Sequence, residues 1–143
     1  PYYPVGFADK YAKVGLGPAR ADAMVRAASV LKHNIPLSYH SDLPMGPAAP
    51  LVLASYGVNR VTPSGRVAGP EQRISVDDAL RAITIGAAHS WRQESRLGSI
   101  APGKIANFTV LGQDPYAVDP RKLQDVPIWG TVFEGRVYPV ARG

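Results

Sequence analysis

Near residue 92 the hydrophobic rhythm of this chain changes, and that change constrains its fold more than any other feature. Upstream, apolar residues recur at helical spacing; downstream, short β-rich runs alternate with turn formers. In Ala19–Asn34, the residues Met24, Val25, Ala28 and Leu31 form one apolar stripe, which predicts an amphipathic helix with Asn34 as its stop before Pro36. A second helix is predicted from Ser75, whose hydroxyl can cap the first turn. Asp77 and Asp78 suit the positive end of its dipole, and Ala79, Leu80, Ile83, Ala87 and Ala88 supply an apolar side through Trp91. Leu51–Tyr56 reads as a short helix opened by Pro50. Residues 1–18 read as an irregular loop with at most one helical turn around Ala8–Ala12, and Val58–Glu71 has turn chemistry throughout.

Past residue 92, Leu97–Ile100 is short and strand-like, and Ala101-Pro102-Gly103-Lys104 is a tight turn. Ile105–Leu111 has β composition. Val126–Glu134 and Arg136–Val140 predict a hairpin turned at Glu134-Gly135. Between the first two helical stretches lies Ile35–Tyr39, too short for a helix and bounded by turn formers, so it reads as a buried strand. His40-Ser41-Asp42 ends it, and Pro44, Pro47 and Pro50 stiffen the loop that follows. The expected fold class is α/β followed by β, divided at residues 1–92 and 93–143.

Composition narrows the function. Gly and Pro supply 14 residues each, about a fifth of the chain against a usual share near 12%, so many turns are expected. Apolar residues at 45% and charged residues at 19% indicate a globular domain. The absence of cysteine excludes disulfides, thiolate metal sites and a cysteine nucleophile. The net charge of +5 is spread over scattered arginines interleaved with acids, so no nucleic-acid partner is expected. No apolar run approaches the roughly 20 residues of a membrane span, and no signal peptide opens the chain. The expectation is no membrane partner and a cytoplasmic rather than secreted location.

The residue with the most chemical promise is Asp42. It follows an expected strand at its C-terminal end, where α/β barrels place catalytic groups, and a carboxylate there can bind a metal or take a proton. Spacing by itself favours a plainer role, a side chain capping the next turn. His40 stands two residues earlier and in extended backbone shares a face with Asp42, so the two could share a metal, but two ligands do not make a site. His33 and His89 lie near predicted helix ends, where a cation suits the dipole. No His-x-His pair, Walker loop or Gly-x-Ser-x-Gly elbow occurs, and Ser41 faces away from its neighbour His40.

Four stretches taken together resemble the amidohydrolase superfamily, in the branch that contains N-substituted formamide deformylases. Leu37-Ser38-Tyr39-His40-Ser41-Asp42-Leu43-Pro44-Met45 is similar to that family's last barrel strand ending in Ser-Asp-x-Pro. Ile74–Thr84 is similar to its final barrel helix, and Leu97–Leu111 to its return into a small β-sandwich. Asp114-Pro115 followed by Val132–Tyr138 is similar to its closing hairpin. Asn107 stands where the family usually has Asp.

The resemblance implies the last strand and helices of a TIM-type barrel followed by C-terminal strands of a composite β-sandwich. It implies zinc or another divalent metal in the complete enzyme, a metal-activated water, and a small amide-type substrate. Asp42 is then both the catalytic carboxylate and the metal ligand that this chain contributes. The remaining ligands belong to strands earlier in the family's order. The chain is therefore expected to be a fragment of such an enzyme, inactive alone and holding no metal tightly. The second reading is a non-catalytic binding or interaction module, assembled as a homo-oligomer that covers its sheet edges.

Overall fold

The computed structural model describes residues 1–140. In chain order the elements are α1 (Tyr2–Lys13), α2 (Pro18–Asp22), α3 (Ala27–Lys32), α4 (Pro50–Asn59) and a 3-10 turn at Pro70–Gln72. They continue with α5 (Val76–Ala82), α6 (Ile85–Ser90), β1 (Phe108–Leu111), a second 3-10 segment at Pro120–Asp125, β2 (Ile128–Phe133) and β3 (Arg136–Pro139).

The expected loop at residues 1–18 is instead largely the helix α1. Pro4 sits in the first turn, where its missing N–H has no partner to lose. Tyr3, Phe7 and Tyr11 stand at i, i+4 spacing with ring centroids 5.5 and 5.8 Å apart. Tyr2 reaches across to Tyr56 on α4, at 6.0 Å.

The helix expected over Ala19–Asn34 is broken into α2 and α3. At the break Val25 takes a φ of 52°, and the carbonyls of Asp22, Met24 and Val25 point to the guanidinium of Arg60. Arg60 ends α4 in the left-handed region (φ 53°) and is only 1% exposed. Its Nε donates to the Ala68 carbonyl as well, so every partner of this buried cation is a main-chain oxygen. Asn34, at φ 55°, ends α3 as expected.

Ile35–Tyr39 is extended but belongs to no strand. The expected buried strand is corrected here. A strand needs a ladder partner, and among the described residues this segment's one backbone bond to a distant part of the chain runs from Tyr39 N to the Ala82 carbonyl at 3.0 Å. Ile35 is 53% exposed, whereas Tyr39 is buried against α4 and α5. Ser38 and His40, on the opposite side, face outward.

The core forms around α4. Leu53, Ala54 and Val58 meet Tyr39, Ile74, Ala79 and Ala82 from the α5 side. Burying the leucine, isoleucine and valine side chains contributes about 2 kcal/mol each. Ser75 caps α5 as expected, its Oγ accepting from Asp78 N at 3.0 Å. The helix predicted to run on to Trp91 breaks at Thr84, whose Oγ1 donates back to the Leu80 carbonyl at 2.7 Å, and resumes as α6. Gly86 in α6 lies so close to the Leu37 carbonyl that an added Cβ would meet that oxygen at 2.1 Å. Only glycine lets the extended segment lie on α6.

The C-terminal sheet is antiparallel in the order β1-β2-β3. Phe133 pairs with Arg136 across Glu134-Gly135, whose φ values of 48° and 81° give the two-residue turn that matches strand twist. Asn107 Oδ1 accepts from Glu134 N at 2.8 Å and braces that turn. Leu97–Ile100, expected as a strand, forms none. Instead Lys104 Nζ donates to the Glu94 carbonyl and to Ser99 Oγ, and holds the segment as a loop. The two halves of the chain share one core. Leu123, fully buried, inserts beneath α4, and Asn59 Nδ2 donates to the Pro120 carbonyl at 2.9 Å.

Candidate functional site

Asp42 lies in a turn, not at a strand terminus. Its φ of 54° is left-handed, and its carbonyl accepts from Met45 N at 2.7 Å. Asparagine and aspartate tolerate that backbone better than other non-glycine residues. The side chain is exposed and does not cap its own turn. Asp42 Oδ2 instead accepts from the hydroxyl of Tyr3 in α1, at 3.2 Å. That bond to the carboxylate pushes the Tyr3 phenol above its ordinary pKa. Oδ1 has no hydrogen-bond partner among the described residues.

The segment that delivers Asp42 is fixed from below. Tyr39 is buried, and its backbone bond to α5 ties the segment to the core, so His40, Ser41 and Asp42 rise from an anchored stem. His40 is exposed, and its Nδ1 accepts from the Asp42 main-chain N–H at 3.1 Å. The two residues that the sequence places on one face are therefore in contact, through backbone rather than through a common ion. Tyr3 was not singled out in the sequence. Its distance from Asp42 along the chain, and the reading of residues 1–18 as a loop, left no signal for it.

The other histidines stand apart. His33 follows α3 as its C-cap. His89 is in the last turn of α6 with Nδ1 at 3.4 Å from Glu94 Oε1. His89 and Glu94 line a cleft of about 540 Å³ between the Ile35–Leu37 segment, α5 and α6, and neither Asp42 nor His40 borders it. Among the described residues no three His, Asp or Glu side chains gather closely enough to hold a metal ion. One exposed carboxylate, with one oxygen already taken by Tyr3, does not fit zinc by itself, because zinc sites draw three or more protein ligands. Among the described residues no helix is long and apolar enough to cross a membrane.

Comparison with known proteins adds what this geometry lacks. The family model described as "Amidohydrolase family" matches residues 2–139. N-substituted formamide deformylase of Arthrobacter pascens is 34% identical over 107 residues, covering 75% of this chain and 20% of that protein. Putative amidohydrolase YtcJ of Bacillus subtilis (strain 168) is 32% identical over 126 residues, covering 85% of this chain and 24% of that protein. Protein LONG AFTER FAR-RED 3 of Arabidopsis thaliana is 38% identical over 89 residues, covering 62% of this chain and 15% of that protein. The chain thus spans roughly a quarter or less of the length of these relatives. No solved structure matches it at a significant level.

Proposed function

The chain belongs to the amidohydrolase family, and from that membership we propose that it is the Asp42-bearing part of a hydrolase acting on a small substrate with an amide-type C–N bond. The family fold is related to the TIM barrel. In this reading residues 1–92 are the closing part of such a barrel, with Ile35–Tyr39 as the segment that becomes a strand once a neighbour pairs with it. Residues 93–143 are strands of a composite β-sandwich.

The observation that carries the reading is the placement of Asp42. It is an exposed carboxylate in the turn that follows Ile35–Tyr39, with Oδ1 unengaged among the described residues and Tyr3 fixing Oδ2. In that position it can accept a proton and pass it to a departing nitrogen. Zinc or another divalent metal is proposed for the complete site, with Asp42 as this chain's contribution and the other ligands supplied by sequence outside it. The isolated chain is proposed to be inactive and to hold no metal tightly, because Asp42 alone falls short of the three or more protein ligands that a zinc site draws.

The test is a chimera. The chain replaces the matching segment of the Arthrobacter pascens deformylase, and hydrolysis of N-substituted formamides is measured. The chimera is expected to be active, and Asp42→Asn is expected to lower its rate by about 100-fold or more. Unchanged hydrolysis after that substitution overturns the assignment of Asp42. Stoichiometric, tight zinc in the purified chain, measured by elemental analysis, overturns the proposal that its metal site is incomplete.

A further inference from the structure

The hydrogen bond between His40 and Asp42 has a polarity, and that polarity decides what His40 can do. A neutral imidazole carries one proton. The nitrogen that accepts a hydrogen bond is the one without it. Here Nδ1 of His40 faces the main-chain N–H of Asp42 at 3.1 Å, a group that can only donate. The Nδ1 lone pair is therefore engaged and the ring proton resides on Nε2. The donor is backbone, so the arrangement does not depend on the charge of the Asp42 side chain.

A histidine that binds a metal is wired the other way. It offers a lone pair to the ion through one nitrogen and donates the N–H of the other to a carboxylate, carbonyl or water. Nδ1 of His40 meets a donor where a ligating histidine needs an acceptor. Its outward nitrogen, Nε2, carries a proton where a ligand needs a lone pair. His40 and Asp42 are in contact, but the direction of that hydrogen bond opposes a metal shared between them.

We infer that His40 serves this site as a hydrogen-bond donor, through Nε2–H, toward an oxygen atom of the substrate, and is not a metal ligand. This rests on the assignment of Asp42 above. The turn then presents two complementary groups. Among the described residues Asp42 Oδ1 is an acceptor left open while Tyr3 occupies Oδ2, and His40 Nε2–H is a donor left open while Asp42 N occupies Nδ1. An amide carries the matching pair, an acceptor on its carbonyl and a donor on its nitrogen. The anchored Tyr39 stem limits how far the two groups can drift apart.

The experiment is nitrogen NMR on the uniformly labelled 143-residue chain, which has only 3 histidines to resolve. His40→Gln assigns the signal, and the pH is set where all imidazoles are neutral. The expected result is a proton on Nε2 of His40 in clear excess over the tautomer share of a histidine in an unstructured peptide. A through-bond nitrogen–nitrogen coupling from the Asp42 amide to Nδ1 should accompany it. One equivalent of zinc should leave the Nε2 signal in place. A peptide-like tautomer mixture, a proton on Nδ1, or a zinc-dependent shift at Nε2 each overturns the inference. None of these readouts depends on hydrolysis. An inactive chimera with the Nε2–H tautomer intact sinks the amidohydrolase reading alone, and an active chimera with the Nδ1–H tautomer sinks this one alone.

Discussion

Nη1 of Arg60 donates to the carbonyl oxygen of Val25 at 3.0 Å and joins residues that lie 35 apart in sequence. Nη2 reaches the Asp22 and Met24 carbonyls, at 3.1 and 2.9 Å, and burial of the guanidinium lowers its pKa. The cation is thus held by carbonyl dipoles at the break between α2 and α3. Arg60→Met removes the donors and strands those oxygens. The expected loss is about 3 kcal/mol or more, since an unsatisfied buried polar group costs roughly 1–3 kcal/mol. Arg60→Lys should recover little of it, because an ammonium lacks the planar fork. Urea unfolding of the three proteins measures the ordering, and a lysine variant as stable as the parent would show that the fork is unimportant.

Tyr39 predicts an alkaline transition. Burial pushes its phenol up to about 12, with Asp78 adding to the shift and Arg60 opposing it. The folded pKa is raised, so the associated stability is complete below the ordinary value of 10.0 and is lost as pH climbs through about 12. Tyr39→Phe should flatten unfolding free energy across that window. Tyr39 Oη also has no hydrogen-bond partner among the described residues, so the same substitution should stabilise the chain near neutral pH by about 1 kcal/mol. Thermal melts at neutral and alkaline pH test both halves of this expectation.

Leu123 bears on whether the two halves of the sequence can be separated. Its side chain is fully buried in the core under α4. Leu123→Ala should cost about 2–5 kcal/mol, the range for a large core truncation. Loss of α-helical circular dichroism should accompany unfolding of the sheet in a single transition. Two separate transitions would show that the halves fold independently.

Gly86 tests the seat of the Asp42 segment. A methyl group there would meet the Leu37 carbonyl at 2.1 Å, a backbone atom with little room to retreat. Gly86→Ala is expected to destabilise by about 1–3 kcal/mol and to weaken the bond from Tyr39 N to the Ala82 carbonyl. Hydrogen exchange at the Tyr39 amide reads that bond directly, and unaltered protection would place the segment's anchor elsewhere.

What could be read from sequence was what local chemistry determines. The Ser75 cap, Pro50 at the start of α4, Asn34 at the end of α3 and the Glu134-Gly135 turn each follow from a residue type acting within a few positions. Apart from the break at Thr84, which follows from a bond back to the Leu80 carbonyl four residues earlier, the main misreadings had distant causes. The break between α2 and α3 answers to Arg60, and α1 gains support from Tyr56 on α4. Ile35–Tyr39 has strand-like composition, but a ladder requires a neighbour that composition does not supply. For the candidate site, Asp42 and its proximity to His40 were legible as sequence spacing. The Tyr3 contact and the direction of the His40 hydrogen bond were not, because both depend on how the turn is finally set.

The Arg60 clamp has an evolutionary consequence. It grips peptide oxygens, which every amino acid offers, and of the side chains at residues 22, 24 and 25 only the Asp22 carboxylate acts on it, through charge and without a hydrogen bond to it. Positions 24 and 25 can change identity from one homologue to another while the clamp persists, whereas Asp22 is also held by its ion pair with Arg66. Covariation across aligned homologues would therefore overlook this contact, and Arg60 would stand out as an invariant residue with no co-evolving partner.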